Sequence, residues 1–280
     1  MANNITLLNG ETWEMDALLK KMRDDDFYFN YLGKDKVLSK SSISGLVPPK
    51  SPKEWYYGSG KKGSESAFRA GSLFHWAILE PEKYEEVWFS SLKTRTAKGF
   101  KAEREEAGQE IYSMSERIFN NKLVAEFTVN KKAMSRLENS VSEVPLLGMI
   151  QGFPFRGKAD IVKDDGRIYD LKTCGNLEDF PKNAFSYGYD IQAYVYCFLM
   201  DIPPEDFEFI AVSKNTYDIG FFPIDKSFYL QGKERLELAL KVYDSIFHKK
   251  TDEEIREVLN ELTYENKLFS LKKYRYDKKR

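Results

Sequence analysis

The stretch 155–173 holds the side chains best suited to chemistry in this chain. Asp160 and Asp170 flank the run K-D-D-G-R, and a lysine follows the second aspartate in the pattern D-x-K. An Asp-Gly pair between two β-rich runs is a strong hairpin signal. If residues 164–166 form the loop, with Gly166 in the left-handed conformation, the register sets Asp160 opposite Asp170. Directly opposed residues have Cβ atoms about 5 Å apart.

Strand alternation adds basic residues to the same face. Lys172 shares the face of Asp170, and Arg156 and Lys158 share the face of Asp160 by the same rule. Two carboxylates this close repel each other and favour a divalent cation. Mg²⁺ takes oxygen ligands, often one or two carboxylates with water and substrate phosphate. A lysine beside it can orient a water or stabilise a phosphorane-like transition state. The alternative is a surface hairpin with solvated charges.

The composition fits a globular protein of one large domain or two small ones. The chain has 280 residues, of which 42% are hydrophobic and 15% aromatic, enough for a sizeable core. No apolar run approaches the ~20 residues of a membrane span, and the first residues lack a secretory pattern. Two cysteines cannot hold an iron–sulfur cluster, and a reduced cytoplasmic setting is expected. The net charge of −1 limits any nucleic-acid contact to local basic patches.

The elements that must position these residues follow from periodicity and turn signals. Helices are predicted at 11–31, 64–79, 107–139 with a break near Asn120-Asn121, a short one from Leu177 ended by Pro181 or Asn183, 187–200 and 227–247. Strands are predicted at 146–152, 155–163, 167–173, 207–214 and 217–224. Basic residues at 91–106 and in the tail from Lys272 are candidate phosphate contacts, with solvated or disordered segments as the alternative.

Taken in order, these features resemble the PD-(D/E)XK nuclease superfamily. The order is a helix with G-x-x-x-H ending at His75, a strand ending at Asp160, a strand with D-x-K at 170–172, and a helix with Q-x-x-x-Y at 192–196. The histidine and the Q-x-x-x-Y are similar to the RecB-like branch, and within it to the phage-type RecE exonucleases. The likeness covers roughly residues 38–250. Ala159, where proline is usual, is a frequent departure in this group.

The resemblance implies a fold and a set of roles. The fold is α/β (α+β): a restriction-endonuclease-like core with a central mixed sheet flanked by helices. The implied metal ligands are His75, Asp160, Asp170 and the backbone carbonyl of Leu171. Lys172 is implied to be the catalytic lysine, acting with the two aspartates. Gln192 and Tyr196 match the motif that supports the site and touches DNA, while Arg156 or Lys158 could hold the phosphate. Glu80 and Glu143 are further carboxylates that no motif assigns.

The resemblance also implies an activity and partners. It implies a Mg²⁺-dependent exonuclease, with Mn²⁺ as a second candidate metal, acting 5′ to 3′ on linear double-stranded DNA in phage-type recombination. A homo-oligomeric ring and a single-strand annealing partner in a bacterial host are expected, with no membrane and no iron–sulfur cluster. Residues 1–280 are predicted as a single nuclease domain: a helical extension at 1–37, the core at 38–250, and a helix with a basic tail at 251–280. The alternatives are a single-strand or structure-specific nuclease, or a non-catalytic DNA-binding protein.

Overall fold

The computed structural model describes residues 3–47, 50–58 and 65–262. Within these ranges the strands are β1 (Asn4–Thr6), β2 (Thr12–Glu14), β3 (Leu38–Ser39), β4 (Ser140–Ile150), β5 (Phe153–Lys163), β6 (Ile168–Cys174), β7 (Phe207–Ser213) and β8 (Ile219–Pro223). The α-helices are α1 (Met15–Lys21), α2 (Gly33–Lys36), α3 (Lys40–Ile43), α4 (Pro52–Tyr57), α5 (Glu65–Leu79), α6 (Pro81–Glu85), α7 (Phe100–Ala107), α8 (Met114–Val129), α9 (Lys131–Leu137), α10 (Phe180–Ser186), α11 (Tyr189–Met200), α12 (Lys226–Ile246) and α13 (Asp252–Glu261). A π-helical turn covers Phe27–Tyr31.

The main sheet is mixed and has β5 at its branching point. Its strands run in the order β3-β5-β6-β7-β8, and β4 pairs with β5 along its length. The pairs β4–β5, β5–β6 and β7–β8 are antiparallel, whereas β3–β5 and β6–β7 are parallel. Strands β1 and β2 form a separate hairpin. The predicted fold class, a central mixed sheet flanked by helices, is confirmed.

Helices cover both faces of this sheet, which is why β7 reads as a nearly continuous apolar run. Phe207, Phe209 and Ala211 belong to the core that includes α10, α11 and α12. Ile210 and Val212 point the other way and join the core of α5, α8 and α9. Because successive side chains of a strand point to opposite faces, α10, α11 and α12 cover one face of the sheet and α5, α8 and α9 cover the other.

The N-terminal residues form a third packed cluster against the edge strand β4. Buried side chains from β1, α1, the π-helical turn and the segment before β3 pack together with Leu147 of β4: Ile5, Leu7, Leu18, Met22, Tyr28, Leu32 and Val37. The fully buried Val37 then leads directly into β3. This part of the chain is thus joined to the main sheet by shared apolar contacts.

Several predicted elements differ from the structure at their ends. The helix predicted at 11–31 is wrong in its extent, because strand β2 occupies its start and a π-helical turn its end. The helix predicted at 107–139 is wrong at its start, since residues 108–113 are not helical, and its break lies at Asn130, whose side chain caps α9, and not at the buried Asn120. Pro181 does not end a helix but sits in the first turn of α10, where its missing N–H costs no intrahelical hydrogen bond.

The other elements follow the predictions more closely. The 64–79, 187–200 and 227–247 helices correspond to α5, α11 and α12, and both predicted strand pairs are present. The predicted basic tail from Lys272 lies outside the described residues. Among the residues that are described, no helix is both long enough and apolar enough to cross a membrane.

Candidate active site

The hairpin of β5 and β6 brings the two aspartates together. Gly166 has a φ of +88° and closes the loop, and the N–H of Lys163 donates to the carbonyl of Arg167 at 2.9 Å. Ile161 pairs with Tyr169 in the ladder, and Val162 with Ile168. The register predicted from the sequence is therefore confirmed at these pairs, and the same register sets Asp160 opposite Asp170, just beyond the last paired residues.

The ladder between β5 and β6 opens at the aspartates. β3 pairs with β5 only at residues 155–156, on the edge that β6 occupies at 161–162. Between these pairs, the Asp160 carboxylate accepts the backbone N–H of Leu171 at 2.8 Å. The Tyr196 hydroxyl donates to the carbonyl of Lys158 at 2.9 Å. The Tyr196 hydroxyl thus takes the place of a strand partner for the carbonyl of Lys158, and the Asp160 carboxylate does the same for the N–H of Leu171 on β6.

Gly157 makes room for the tyrosine in this opening. A Cβ at this position would lie 2.6 Å from the Tyr196 ring. The Q-x-x-x-Y pattern of α11 therefore reaches the sheet through a contact that only a glycine permits. Its first member, Gln192, is also buried and donates its amide to the Asp170 carboxylate.

Asp170 and Lys172 form a buried ion pair. The lysine ammonium contacts one carboxylate oxygen of Asp170, and Gln192 contacts the other. Burial and the charge of Asp160 raise the pKa of Asp170 to about 6. Burial also disfavours the charge on Lys172, but the adjacent Asp170 and Asp160 outweigh it and raise the pKa of Lys172 above its usual value. Lys172 is therefore protonated at neutral pH and can supply charge and hydrogen bonds but cannot accept a proton.

A set of candidate metal ligands lies beside this ion pair. One ligating atom each of His75, Glu143 and Asp160 lie within 4.8 Å of one another. Nδ1 of His75 is 3.8 Å from Oδ2 of Asp160. Burial and the charge of Lys172 lower the pKa of His75 to about 4, so its imidazole is neutral at pH 7. A neutral ring nitrogen is the form that binds metals.

Glu143 enters the group through an unusual backbone conformation. Its neighbours in β4 pair with residues 161 and 159 of β5, which places Glu143 opposite Asp160. Its φ is +54°, a conformation that residues other than glycine rarely adopt. Strained residues of this kind gather at functional sites. In the sequence Glu143 and Glu80 are only carboxylates that no motif assigns, and no local pattern marks the strained strand position of Glu143.

The residues present fit a divalent cation. Burial and the charges of Asp160 and Glu80 raise the pKa of Glu143 to about 8, and burial raises that of Asp160. These carboxylates are thus poorly stabilised by the protein alone, and a cation would relieve their repulsion. The backbone of Leu171 also lies against His75, where it partly opposes the lowering of the pKa of His75 by burial and Lys172. Carboxylate and carbonyl oxygens suit Mg²⁺ and Mn²⁺, and one imidazole nitrogen is compatible with the latter.

The other predicted site residues surround this group without joining it. Asp170 is held by Lys172 and Gln192, so its role as a metal ligand stays a prediction. Arg156 is buried and donates to the backbone carbonyl of Tyr28, which makes it a supporting residue in this arrangement. Lys158 lies 3.7 Å from Glu143 and 2.5 Å from Asp25.

Lys40 is a cation near the site that the sequence analysis did not assign a role. Its ammonium lies 5.2 Å from the centre of the Tyr189 ring, and that of Lys172 lies 5.1 Å from the same ring. In the described part of the chain, no carboxylate is within ion-pair distance of Lys40. Burial and the charge of Lys172 lower the pKa of Lys40 to about 8.

Lys40→Met is expected to stabilise the fold at pH 7 by about 1–2 kcal/mol, because it removes a half-buried cation that has no acidic partner among the described residues. The pKa of Lys40 falls from 10.5 to about 8 on folding, so the folded chain releases this proton first as the pH rises. At pH values between these two pKa values the unfolded state binds more protons than the folded state. The free energy of unfolding of the wild type therefore rises with pH relative to that of the variant. Urea unfolding at pH 7 and pH 9.5 measures both effects.

The exposed Lys122 of α8 provides the control, since Lys122→Met should change stability little at either pH. A Lys40→Met protein that is less stable than the wild type at pH 7 would show that the ammonium has a favourable partner.

One family and several solved structures are similar to the chain. The family described as a PDDEXK-like domain of unknown function (DUF3799) matches residues 51–256. The crystal structure of a candidate exonuclease from Eubacterium rectale has a TM-score of 0.59 at 16% identity, covering 90% of this chain and 97% of that one. A phage-related exonuclease from Haemophilus somnus 129PT has a TM-score of 0.32 at 18% identity, with coverages of 75% and 94%. No curated protein is significantly similar in sequence. The Eubacterium rectale structure supports the fold.

Proposed function

The chain belongs to the DUF3799 family of PDDEXK-like domains, and from this premise we propose that it is a divalent-metal-dependent deoxyribonuclease. The observation that carries the proposal is the placement of a buried Asp170–Lys172 pair beside the ligand group of His75, Glu143 and Asp160. A cation site and a fixed ammonium side by side are what phosphodiester hydrolysis needs, because negative charge grows on the phosphate in the transition state.

One of the chain's own residues supplies charge to the reaction, and others hold that residue in position. A bound divalent cation supplies Lewis acidity to the scissile phosphate and to water. Lys172 stays protonated and offers its ammonium to a phosphate oxygen or to the attacking water. Asp170 holds that ammonium in place, and Gln192 holds Asp170 from α11. Because these groups are buried and already oriented, little reorganisation is required when the charge develops.

We further propose that the substrate is linear double-stranded DNA, degraded from a 5′ end to leave a 3′ overhang. The motif order from His75 to Tyr196, which is similar to that of the phage-type RecE exonucleases, supports this choice. A ring-shaped homo-oligomer, a single-strand annealing partner and a role in recombination stay predictions from the same resemblance. A single-strand or structure-specific nuclease is the second candidate.

The test uses duplex DNA labelled at its 5′ or its 3′ end, with Mg²⁺ or with EDTA. Early release of the 5′ label as mononucleotide, only with Mg²⁺, is the expected result. Closed circular duplex should resist digestion, and a single-stranded oligonucleotide of the same sequence should be a poorer substrate. Preferential digestion of the single strand would favour the second candidate. Binding without digestion of any of these DNAs would favour a non-catalytic DNA-binding protein.

Glu143→Gln is expected to weaken Mn²⁺ binding by at least about tenfold, because it removes one charged ligand from the group. In EDTA the same variant should be at least as stable as the wild type, because Glu143 crowds Asp160 and Glu80 when no cation is present. Calorimetric titration of the metal-free protein measures the affinity, and thermal unfolding in EDTA measures the stability.

Weaker Mn²⁺ binding without a loss of stability in EDTA distinguishes a metal ligand from a residue that only supports the fold. Glu126→Gln, at an exposed position of α8, is the matched control and should alter neither quantity. Unchanged Mn²⁺ affinity in Glu143→Gln would remove Glu143 from the ligand group.

A further inference from the structure

An exposed aromatic ring stands next to the candidate metal site. Phe29 lies in the π-helical turn of residues 27–31, and 61% of its surface is exposed. π-helical turns are rare and occur frequently at functional sites. Single exposed aromatic residues are common on proteins, so exposure alone says little about Phe29. The contacts that hold its segment and the groups beside it set Phe29 apart from such residues.

The segment that precedes Phe29 is fixed to the site. The carbonyl of Tyr28 accepts a hydrogen bond from Arg156, whose guanidinium also lies 4.6 Å from the Tyr28 ring centre. Asp25 forms ion pairs with Lys158 and with Lys83 of α6. Arg156 and Lys158 precede Asp160 on β5 and alternate toward the same face. The ring is therefore carried by a segment that is tied to the strand of a candidate ligand.

Lys158 connects the ring with the ligand group directly. Its ammonium lies 5.6 Å from the Phe29 ring centre and 3.7 Å from Oε2 of Glu143. One lysine head group thus separates the ring from a candidate metal ligand. A nucleotide next to a phosphate at the metal site lies within this range, because consecutive nucleotides of one strand are spaced about 3.4 Å apart along a duplex axis.

We propose that Phe29 is a stacking platform for an unpaired nucleobase of the strand whose phosphate occupies the site. This inference rests on the proposed nuclease function. Aromatic rings bind unpaired bases by stacking, without regard to sequence, and cations nearby contribute to such contacts. A base within an intact duplex stacks on its own neighbours, so Phe29 engages a base that is frayed or single-stranded. The ring thereby selects DNA ends over the duplex interior.

The experiment places 2-aminopurine, whose fluorescence is quenched by stacking, in a short 5′ single-stranded tail on a duplex. Binding is measured with Mg²⁺ in a Lys172→Met background to slow cleavage. Phe29 and Phe29→Trp should bind the tail and quench the probe. Phe29→Ala and the apolar but non-aromatic Phe29→Leu should lose the quenching and bind about tenfold more weakly. In otherwise wild-type protein, Phe29→Ala should slow digestion of frayed ends by a similar factor.

Phe198→Ala is the matched control, because it removes a phenylalanine of α11 that is 45% exposed and neighbours Tyr194. Quenching and affinity that survive in Phe29→Ala, while the wild type digests DNA with Mg²⁺, overturn the inference and leave the proposed function standing. A wild type that digests no DNA refutes the proposed function instead. Unchanged DNA binding together with an altered oligomeric state of Phe29→Ala would assign the ring to a protein interface and overturn the inference.

Discussion

Lys172→Met is expected to lower the rate of Mg²⁺-dependent DNA digestion by about 10²–10³-fold, the usual loss when one oriented donor to a developing charge is removed. Met matches the length of the aliphatic part of the lysine side chain and lacks the ammonium, which is held against Asp170 in the wild type. The pKa of Asp170 is already raised to about 6 by burial and by Asp160. Without the lysine, Asp170 should take up a proton near neutral pH. The measurement is single-turnover cleavage of end-labelled duplex.

A companion variant distinguishes lost chemistry from lost structure. The single change leaves a buried carboxylate without its partner, and breaking a buried pair in this way commonly costs several kcal/mol. Asp170→Asn combined with Lys172→Met removes both charges, so it should recover most of the unfolding temperature but none of the activity. Activity that returns with stability in the double variant would mean that Lys172 acts only through the fold.

Gly232→Ala is expected to destabilise the protein by about 3 kcal/mol or more, near the upper end for an overpacked core. An added Cβ would lie 2.0 Å from the backbone oxygen of Asp190, where α12 crosses the start of α11. The obstacle is backbone, so no side chain can turn aside, and the two helices must separate. Arg235 donates to both oxygens of the Asp190 carboxylate at 2.7 Å, and this buried ion pair would be disturbed as well. Urea unfolding gives the free energy of unfolding.

Helix propensity makes the opposite prediction for the same change, since Ala is favoured over Gly in a helix interior by about 1 kcal/mol. Gly33→Ala is the control for that effect, because an added Cβ at Gly33 of α2 would meet no atom within 4 Å. This control should be neutral or slightly stabilising. Equal behaviour of the two variants would contradict the close approach of α11 and α12.

A displacement of α11 should also disturb the candidate active site. Gln192 and Tyr196 extend from this helix to Asp170 and to the carbonyl of Lys158. The activity of any folded Gly232→Ala protein is therefore expected to fall although Gly232 itself contacts no candidate ligand.

The sequence by itself determined the parts of the site that depend on short-range geometry. The Asp-Asp-Gly loop and the two-residue period of a strand were enough to set Asp160 opposite Asp170 with Lys172 on the same face. The spacing of Gln192 and Tyr196 on one helix is equally local. These relations hold within a single hairpin or helix, so no knowledge of the remaining chain was needed.

The tertiary structure alone decided which distant residues complete the site. Glu143 joins the ligand group and has a positive φ within β4. The ammonium groups of Lys40 and Lys172 both lie beside the ring of Tyr189. The run 11–31 is amphipathic enough to suggest one helix, but it folds as a strand, a helix and a π-helical turn because its apolar side chains pack against Leu147 of β4. No local pattern records these contacts, since each depends on how the sheet and helices are arranged, and tertiary packing outweighs the small differences in propensity.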